Sequence, residues 1–376
     1  MKELNAAHCP VTLAPDHAKT MIHFIRLLDH LHRSQDYLNL VTPLLPESAL
    51  FDPGHDAVMM GYDFHITPQG PRLIEVNTNA GGATLAWQAQ ASGNGNPFPF
   101  HGQRNPIMDS FNEEMVQFSK GQKQQPNQVI ILDEDPEKQF LYNEMQTFVS
   151  LFTQRGIRTA IAAPEALELQ GDALFYQGKP VDMIYNRHCD FYLESQPMAH
   201  VRTAWLKHQV CLTPNPRIYG LLSDKRRMTL WSDPQIVATL GLTPEQQQRL
   251  LTITPLTRTM ASLDLSTLWQ DRRHWVFKPT TSHGGKGVLL GRKISKARFD
   301  TLIPEQTLAQ HLAPPAIIRC PDREQPVKTD FRLFVYRRKV LGIAARIYHG
   351  QITTFRENGS GYAPVHLMAD RQQPLQ

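Results

Sequence analysis

Asp63, Glu75 and Asn77 are residue types that bind cations, and their spacing places them on two arms of one short hairpin. Residues 61–67 and 71–77 carry apolar runs around Pro68-Gln69-Gly70, a turn signal, so the arms should pair antiparallel about Gln69. Asp63 then falls opposite Glu75. Side chains alternate faces along a strand, so Asn77 shares the face of Glu75, and its cross-strand neighbour is Gly61, with no side chain to crowd them. Facing carboxylates repel. A hard divalent cation such as Mg2+, which takes a few carboxylate and amide oxygens and completes its shell with water and phosphate oxygens, would remove that repulsion. The bland alternative is an exposed hairpin with ordinary polar positions.

A second group of chemically useful residues lies late in the chain. Residues 275–279, Trp-Val-Phe-Lys-Pro, read as a strand ending in Lys278, followed by a loop with Gly284, Gly285, Lys286 and Gly287. Glycines let backbone amides approach an anion closely, and Lys286 adds charge at the same place, so a phosphate chain is the implied ligand. The spacing is not that of a P-loop, and a tight surface hairpin is the competing explanation. Residues 307–312, including Gln310, read as a short strand that could present backbone groups to an adenine edge. Residues 328–336 alternate polar and apolar positions and return from Val340 to Ile347; pairing about Arg338 sets Asp330 opposite Arg346. A surface ion pair there would contribute only about 0.2–1 kcal/mol. Arg356 sits in a glycine-bearing loop able to close over a transferred phosphate, and Arg187 follows a strand where it could anchor a substrate carboxylate or make a structural pair.

The elements that must position these residues fall into three segments, 1–125, 126–222 and 223–376. Apolar residues at helical spacing predict a helix from Ala18 to about Leu40 before the hairpin, and another through Leu85 to Gln90 after it. The polar stretch 120–127 is a linker. Beyond it, residues 129–132 read as a buried strand, 137–155 as a helix and 158–162 as the next strand, which is a βαβ unit without a glycine-rich phosphate loop. Residues 181–185 form a further strand. The third segment, from Lys225, holds the remaining motifs.

Composition narrows the class. With 376 residues and 41% apolar content the chain can bury more than one core. Thirty-nine basic residues are spread among 35 acidic ones, which argues against nucleic acid as a partner. No apolar stretch approaches the ~20 residues of a membrane span, and the N-terminal residues lack a secretory pattern. The four cysteines are far apart and form no short framework, so a cytoplasmic protein is expected. Nothing in the spacing speaks to oligomeric state.

Asp63 followed by Glu75-Val76-Asn77 on a hairpin, with a strand-lysine-proline and a glycine-rich lid loop, resembles the ATP-grasp superfamily of ATP-dependent carboxylate-amine ligases. In the usual order the Glu-x-Asn hairpin comes last. Here it precedes Lys278, which is similar to the circularly permuted group that includes the glutathionylspermidine synthetase-like ligases. The resemblance covers residues 56–365 and is strongest at 61–82 and 276–288. It implies an α/β ATP-grasp fold, circularly permuted, with an α+β lid and a βαβ substrate lobe. It also implies ATP and Mg2+ as cofactors and small-molecule carboxylate and amine substrates. Residue by residue, it would assign Asp63, Glu75 and Asn77 to magnesium and Lys278 to the α/β-phosphates. Lys286 with its glycines would meet the β/γ-phosphates, Gln310 the adenine hinge and Lys225 the nucleotide, with Arg332 and Arg346 in the catalytic cleft. One departure stands out: family members often carry an arginine two residues before the first metal aspartate, and this chain has Gly61. Arg346, Arg332 or Arg356, the last in a loop free to reach the site, would replace it; otherwise catalysis is impaired. The implied reaction runs through an acylphosphate and needs no protein nucleophile, in keeping with the lack of a Ser-His-Asp or Cys-His signature. A phosphotransferase and a catalytically impaired nucleotide-binding regulator are the alternatives.

Overall fold

A computed structural model describes residues 9–91, 105–281, 285–320, 325–351, 353 and 359–368. The hairpin forms as strands Met60–Thr67 and Gly70–Asn77. It does not stand alone. Met60–Thr67 also pairs with Val327–Tyr336, which pairs with Lys339–Tyr348 and then Gly361–Ala363, while Ala316–Ile318 adds to Val327–Tyr336, giving a six-stranded sheet built from both ends of the chain. One face of this sheet is apolar along its length. Phe64, Leu333, Ile343 and Ile347 pack there against Phe24, Ile25 and Leu28 of helix Pro15–Leu31, removing large side chains from water. The other face is divided. Phe334 and Ala344 pack against the next lobe, whereas Asp63, Asp330, Arg332 and Arg346 occupy the remainder.

That next lobe is a four-stranded parallel sheet, ordered Cys211–Thr213, Met183–Asn186, Gln128–Leu132, Arg158–Ala162. Its two middle strands are buried at every position, as expected for a sheet covered on both faces. A third sheet joins Thr257–Thr259, Thr307–His311, Trp275–Pro279 and Leu289–Leu290, with Phe277 and Ala309 packed on Phe299 and Leu268. Val11–Leu13 pairs in parallel with Val365–Leu367, so the described ends meet.

Two expectations need correction. The helix expected from Ala18 to Leu40 is two helices, Pro15–Leu31 and Gln35–Val41. Ser34 divides them: its hydroxyl donates to the Leu31 carbonyl and accepts from the Tyr37 amide, closing one helix and capping the next. The cysteines are also not all separate, because Cys9 and Cys320 form a disulfide across 311 residues. Disulfides are rare in a reducing cytosol, so this pairing runs against the cytoplasmic expectation drawn from cysteine spacing. No described helix is long and apolar enough to cross a membrane.

Candidate functional site

Asp63 does pair with Glu75, and Gly61 with Asn77. The route differs from the expected turn: Thr67 pairs with Gly70 around a two-residue turn, and an extra residue between Leu73 and Glu75 shifts the register back. The same happens in the second hairpin, where Tyr336 pairs with Lys339, the register shifts beyond Val335, and Asp330 ends opposite Arg346. These registers assemble a buried row of alternating charge. Arg332 donates from Nε to Asp63 Oδ1 and from Nη2 to Asp63 Oδ2, both at 2.6 Å. Arg346 bridges two acids, Nη2 to Asp63 Oδ2 at 2.8 Å and Nε to Asp330 Oδ1 at 2.6 Å. Burial alone would push the Asp63 carboxyl up, but the two guanidinium groups outweigh it and hold it at about 2. The Thr353 hydroxyl closes the row on Asp330.

Gly61 is bare for a visible reason. A Cβ there would lie 2.6 Å from Ala80 Cβ and 3.2 Å from Arg332 Nε. Arg332 therefore occupies the space beside residue 61. Of the three arginines considered as replacements, Arg332 and Arg346 lie in this row, while Arg356 falls outside the described residues.

Lys278 reaches the same hairpin from the third sheet, donating from Nζ to the Ile74 carbonyl at 2.9 Å. Burial lowers its pKa to about 8, with Glu75 opposing that shift and Lys225 adding to it, so Lys278, Lys225 and Glu75 share one neighbourhood. Gly285 and Gly287 both adopt positive φ, the left-handed conformation that favours glycine, and Lys286 between them is exposed. Gly284 lies outside the described residues. Gln310 lies on the strand next to that of Lys278, opposite Val276. It lies on an internal strand paired on both sides, and its side-chain amide donates to Thr257 Oγ1 and Met228 Sδ.

Beyond the hairpin, residues 79–82 join the sheet to the parallel lobe. Asn79 Nδ2 donates to the Arg187 carbonyl and Arg187 Nη1 returns a bond to the Asn79 carbonyl, each at 3.0 Å. Glu144 accepts from the amides of Gly82 and Thr84 at the start of helix Ala83–Ala91. The Gly81 carbonyl receives the Tyr362 hydroxyl at 2.8 Å. A Cβ on Gly81 would come within 2.6 Å of Arg187 Nη2. Asp133, not singled out in the sequence, ends the strand beside Arg187. Burial pushes its carboxyl up to about 6 against the pull of Arg187.

The donor set bears on magnesium. Among the described residues no group of three or more His, Cys, Asp or Glu side chains has metal-binding geometry. Both Asp63 oxygens are already engaged by guanidinium groups. Glu75 makes no ion pair among the described residues and accepts only the 3.2 Å bond from Asn77 Nδ2, which leaves the Asn77 amide oxygen available. One carboxylate and one amide oxygen, completed by phosphate oxygens and water, fit Mg2+.

No family model and no curated protein sequence matches this chain. Solved structures do. A glutathione synthetase-like effector from Globodera pallida, in its apo form, superposes with a TM-score of 0.61 at 12% identity, covering 96% of this chain and 89% of that one. A γ-glutamylcysteine synthetase-like protein of Methylobacillus flagellatus gives 0.48 at 10% identity, covering 92% and 85%. The ATP-grasp ligase PsnB, complexed with a minimal precursor, gives 0.34 at 12%, covering 65% and 90%. Of these three the first alone exceeds 0.5. The chain therefore shares the fold of that glutathione synthetase-like effector, a mixed α and β architecture; identities this low speak to fold and not to activity.

Proposed function

We propose that this chain is an ATP-dependent ligase that joins a carboxylate to an amine through an acylphosphate, with its metal-binding hairpin in the circularly permuted position. The observation that carries the reading is the bond from Lys278 to Ile74. It brings a lysine of the late nucleotide sheet onto the early hairpin, beside Glu75 and next to the Asp63 and Arg332 row. A triphosphate lying there would meet Lys278, Lys225 and the Lys286 loop.

Glu75 and Asn77 would hold Mg2+, which neutralises phosphate charge when bound. The chain's own residues do the rest by position and charge. A substrate carboxylate oxygen attacks the γ-phosphorus, the bond to ADP breaks, and an acylphosphate forms. An amine nitrogen then attacks the acyl carbon, phosphate departs, and the nitrogen's surplus proton is released. Arg332 stands where the residue 61 side chain would be and supplies the guanidinium that Gly61 lacks, favouring negative charge as it develops on the transferred phosphoryl group.

The test is phosphate release from Mg-ATP across a panel of small acids and amines, with products followed by mass spectrometry. An amide product formed with ADP and phosphate is expected. A stable phosphorylated acid would mean phosphotransfer, and nucleotide binding without turnover on any pair would mean a regulatory protein.

A further inference from the structure

A cavity of about 290 Å³ that the nucleotide reading does not use is lined in part by His32, Arg33, His55, Asp56, Gln117 and Arg217. No residue of the hairpin, the Asp63 row or the glycine loop lines it. Four segments build it. His32 caps helix Pro15–Leu31, with Arg33 next to it, and residues 52–56 approach the first strand of the hairpin. Gln117 stands in the last turn of helix Pro106–Phe118, just before the polar stretch 120–127, and Arg217 and Leu221 follow Cys211–Thr213, the last strand of the parallel lobe. The cavity therefore borders the chain's entry into that lobe and its exit from it. Small-molecule sites favour such junctions, with volumes from ~300 Å³ upward.

The wall holds polar groups that the protein leaves unspent. His32 and His55 are both 5% exposed. His32 donates from Nδ1 to the Leu28 carbonyl at 3.1 Å and His55 from Nδ1 to Glu114 Oε2 at 2.8 Å, so each ring is fixed through one nitrogen. The Nε2 of each has no hydrogen bond among the described residues, and Asp56 Oδ1 stands 3.9 Å from that of His32, beyond hydrogen-bond reach. Buried polar atoms are nearly always paired, so two orphans in the wall of one cavity call for a partner that enters it. Arg33 spends Nη2 on Asp29 and Asp56 and makes no bond from Nε or Nη1 among the described residues. Arg217 spends Nη1 on the Leu50 carbonyl and holds Asp52 at 3.4 Å through Nη2, which leaves Nε. The carboxylates, by contrast, are already met. Asp56 takes Arg33 on Oδ1 at 2.6 Å and Arg337 on Oδ2 at 3.0 Å, and although burial alone would raise its carboxyl, His32 and Arg33 hold it at about 2.

We propose that this cavity binds a small phosphoryl compound, with the phosphate oxygens on Arg33 and Arg217 and facing His32 and His55. Guanidinium N–H groups match phosphate oxygens in charge and geometry. A phosphoryl group also suits the imidazoles in either protonation form, since it can offer P–OH to a ring lone pair or accept N–H from an imidazolium. A cation would meet both guanidinium groups with like charge. The site does not depend on the ligase reading.

Isothermal titration of the full chain tests it, with Mg2+ and a non-hydrolysable ATP analogue saturating so that phosphate positions near Lys278 are filled. Inorganic phosphate and glycerol 3-phosphate are the probes, and glycerol and acetate the controls. At least one probe should bind ~10-fold or more tightly than both controls, and the better of the two tells free phosphate from an ester. Arg217→Gln should weaken that binding by on the order of 10–100-fold. Amide hydrogen exchange of the unaltered protein locates the probe without relying on a variant: it should slow exchange at residues 52–56 and 216–221. Absence of binding by both probes, equal binding of acetate or glycerol, unchanged affinity in Arg217→Gln, or protection confined to residues 275–288 overturns the proposal. If the ATP analogue itself fails to bind, the ligase reading falls, while a probe that protects 52–56 and 216–221 still upholds this site.

Discussion

The Lys278 ammonium bonds the main-chain carbonyl of Ile74 at 2.9 Å, so the four-stranded sheet of residues 257–311 grips the early hairpin at the residue before Glu75. The grip is made by a charge held out of water, and its pKa falls from 10.5 to about 8. A base with a depressed pKa costs stability while charged, and the cost fades as pH rises from about 8 through 10.5. Lys278→Met should therefore stabilise the ligand-free protein by about 1–3 kcal/mol at neutral pH, with a smaller gain near pH 10. The same variant should lose most of the thermal shift produced by Mg-ATP analogue. Denaturant melts at both pH values and a ligand melt check the two halves.

Asp63 and Glu75 face each other but differ in what they hold. Asp63→Asn leaves Arg332 and Arg346 short of their shared counter-charge and should destabilise the fold by about 3–5 kcal/mol. Glu75→Gln should fold normally and bind nucleotide with a weaker dependence on Mg2+. Urea midpoints and a magnesium titration of nucleotide affinity separate the two carboxylates.

Asp133 carries a cost of the opposite chemical type. Its carboxyl rises from 3.8 to about 6, so the stability present when it is protonated, below about pH 4, is lost as pH climbs through 6. Asp133→Asn should match the parent near pH 4 and exceed it by about 1–3 kcal/mol at neutral pH. Unfolding at the two pH values measures this.

Cys9 and Cys320 are bonded, and Cys189 and Cys211 are free. Thiol titration of unfolded, unreduced protein should find two reactive groups, and Cys9→Ser should lower stability by about 2–5 kcal/mol.

The hairpin was legible because its pairing depends on neighbours in sequence. Asp63 against Glu75 and Asp330 against Arg346 follow from alternation and a turn, although each two-residue turn needs a bulge to reach the register that a three-residue turn would give. Strands 129–132 and 158–162 followed from apolar runs in the same way. What stayed hidden depends on residues far apart in the chain. Nothing local to Asp63 announces Arg332, nothing near Cys9 announces Cys320, and Gln310 cannot be seen from its own segment to be packed between two strands. Asp133 carries no signal in its own segment, because its neighbour Arg187 is brought to it only by the pairing of Leu132 with Asn186 on the adjoining strand.

Gly61 is the feature with the widest reach. By ceding its place to a guanidinium from a strand near the other end of the polypeptide, it makes the early hairpin chemically incomplete on its own. Parted from the last strands of the sheet, the hairpin would leave the Asp63 carboxylate without either of its guanidinium partners. A side chain introduced at residue 61 would have to be matched by changes at Ala80 and Arg332, whose atoms fill the place of its Cβ.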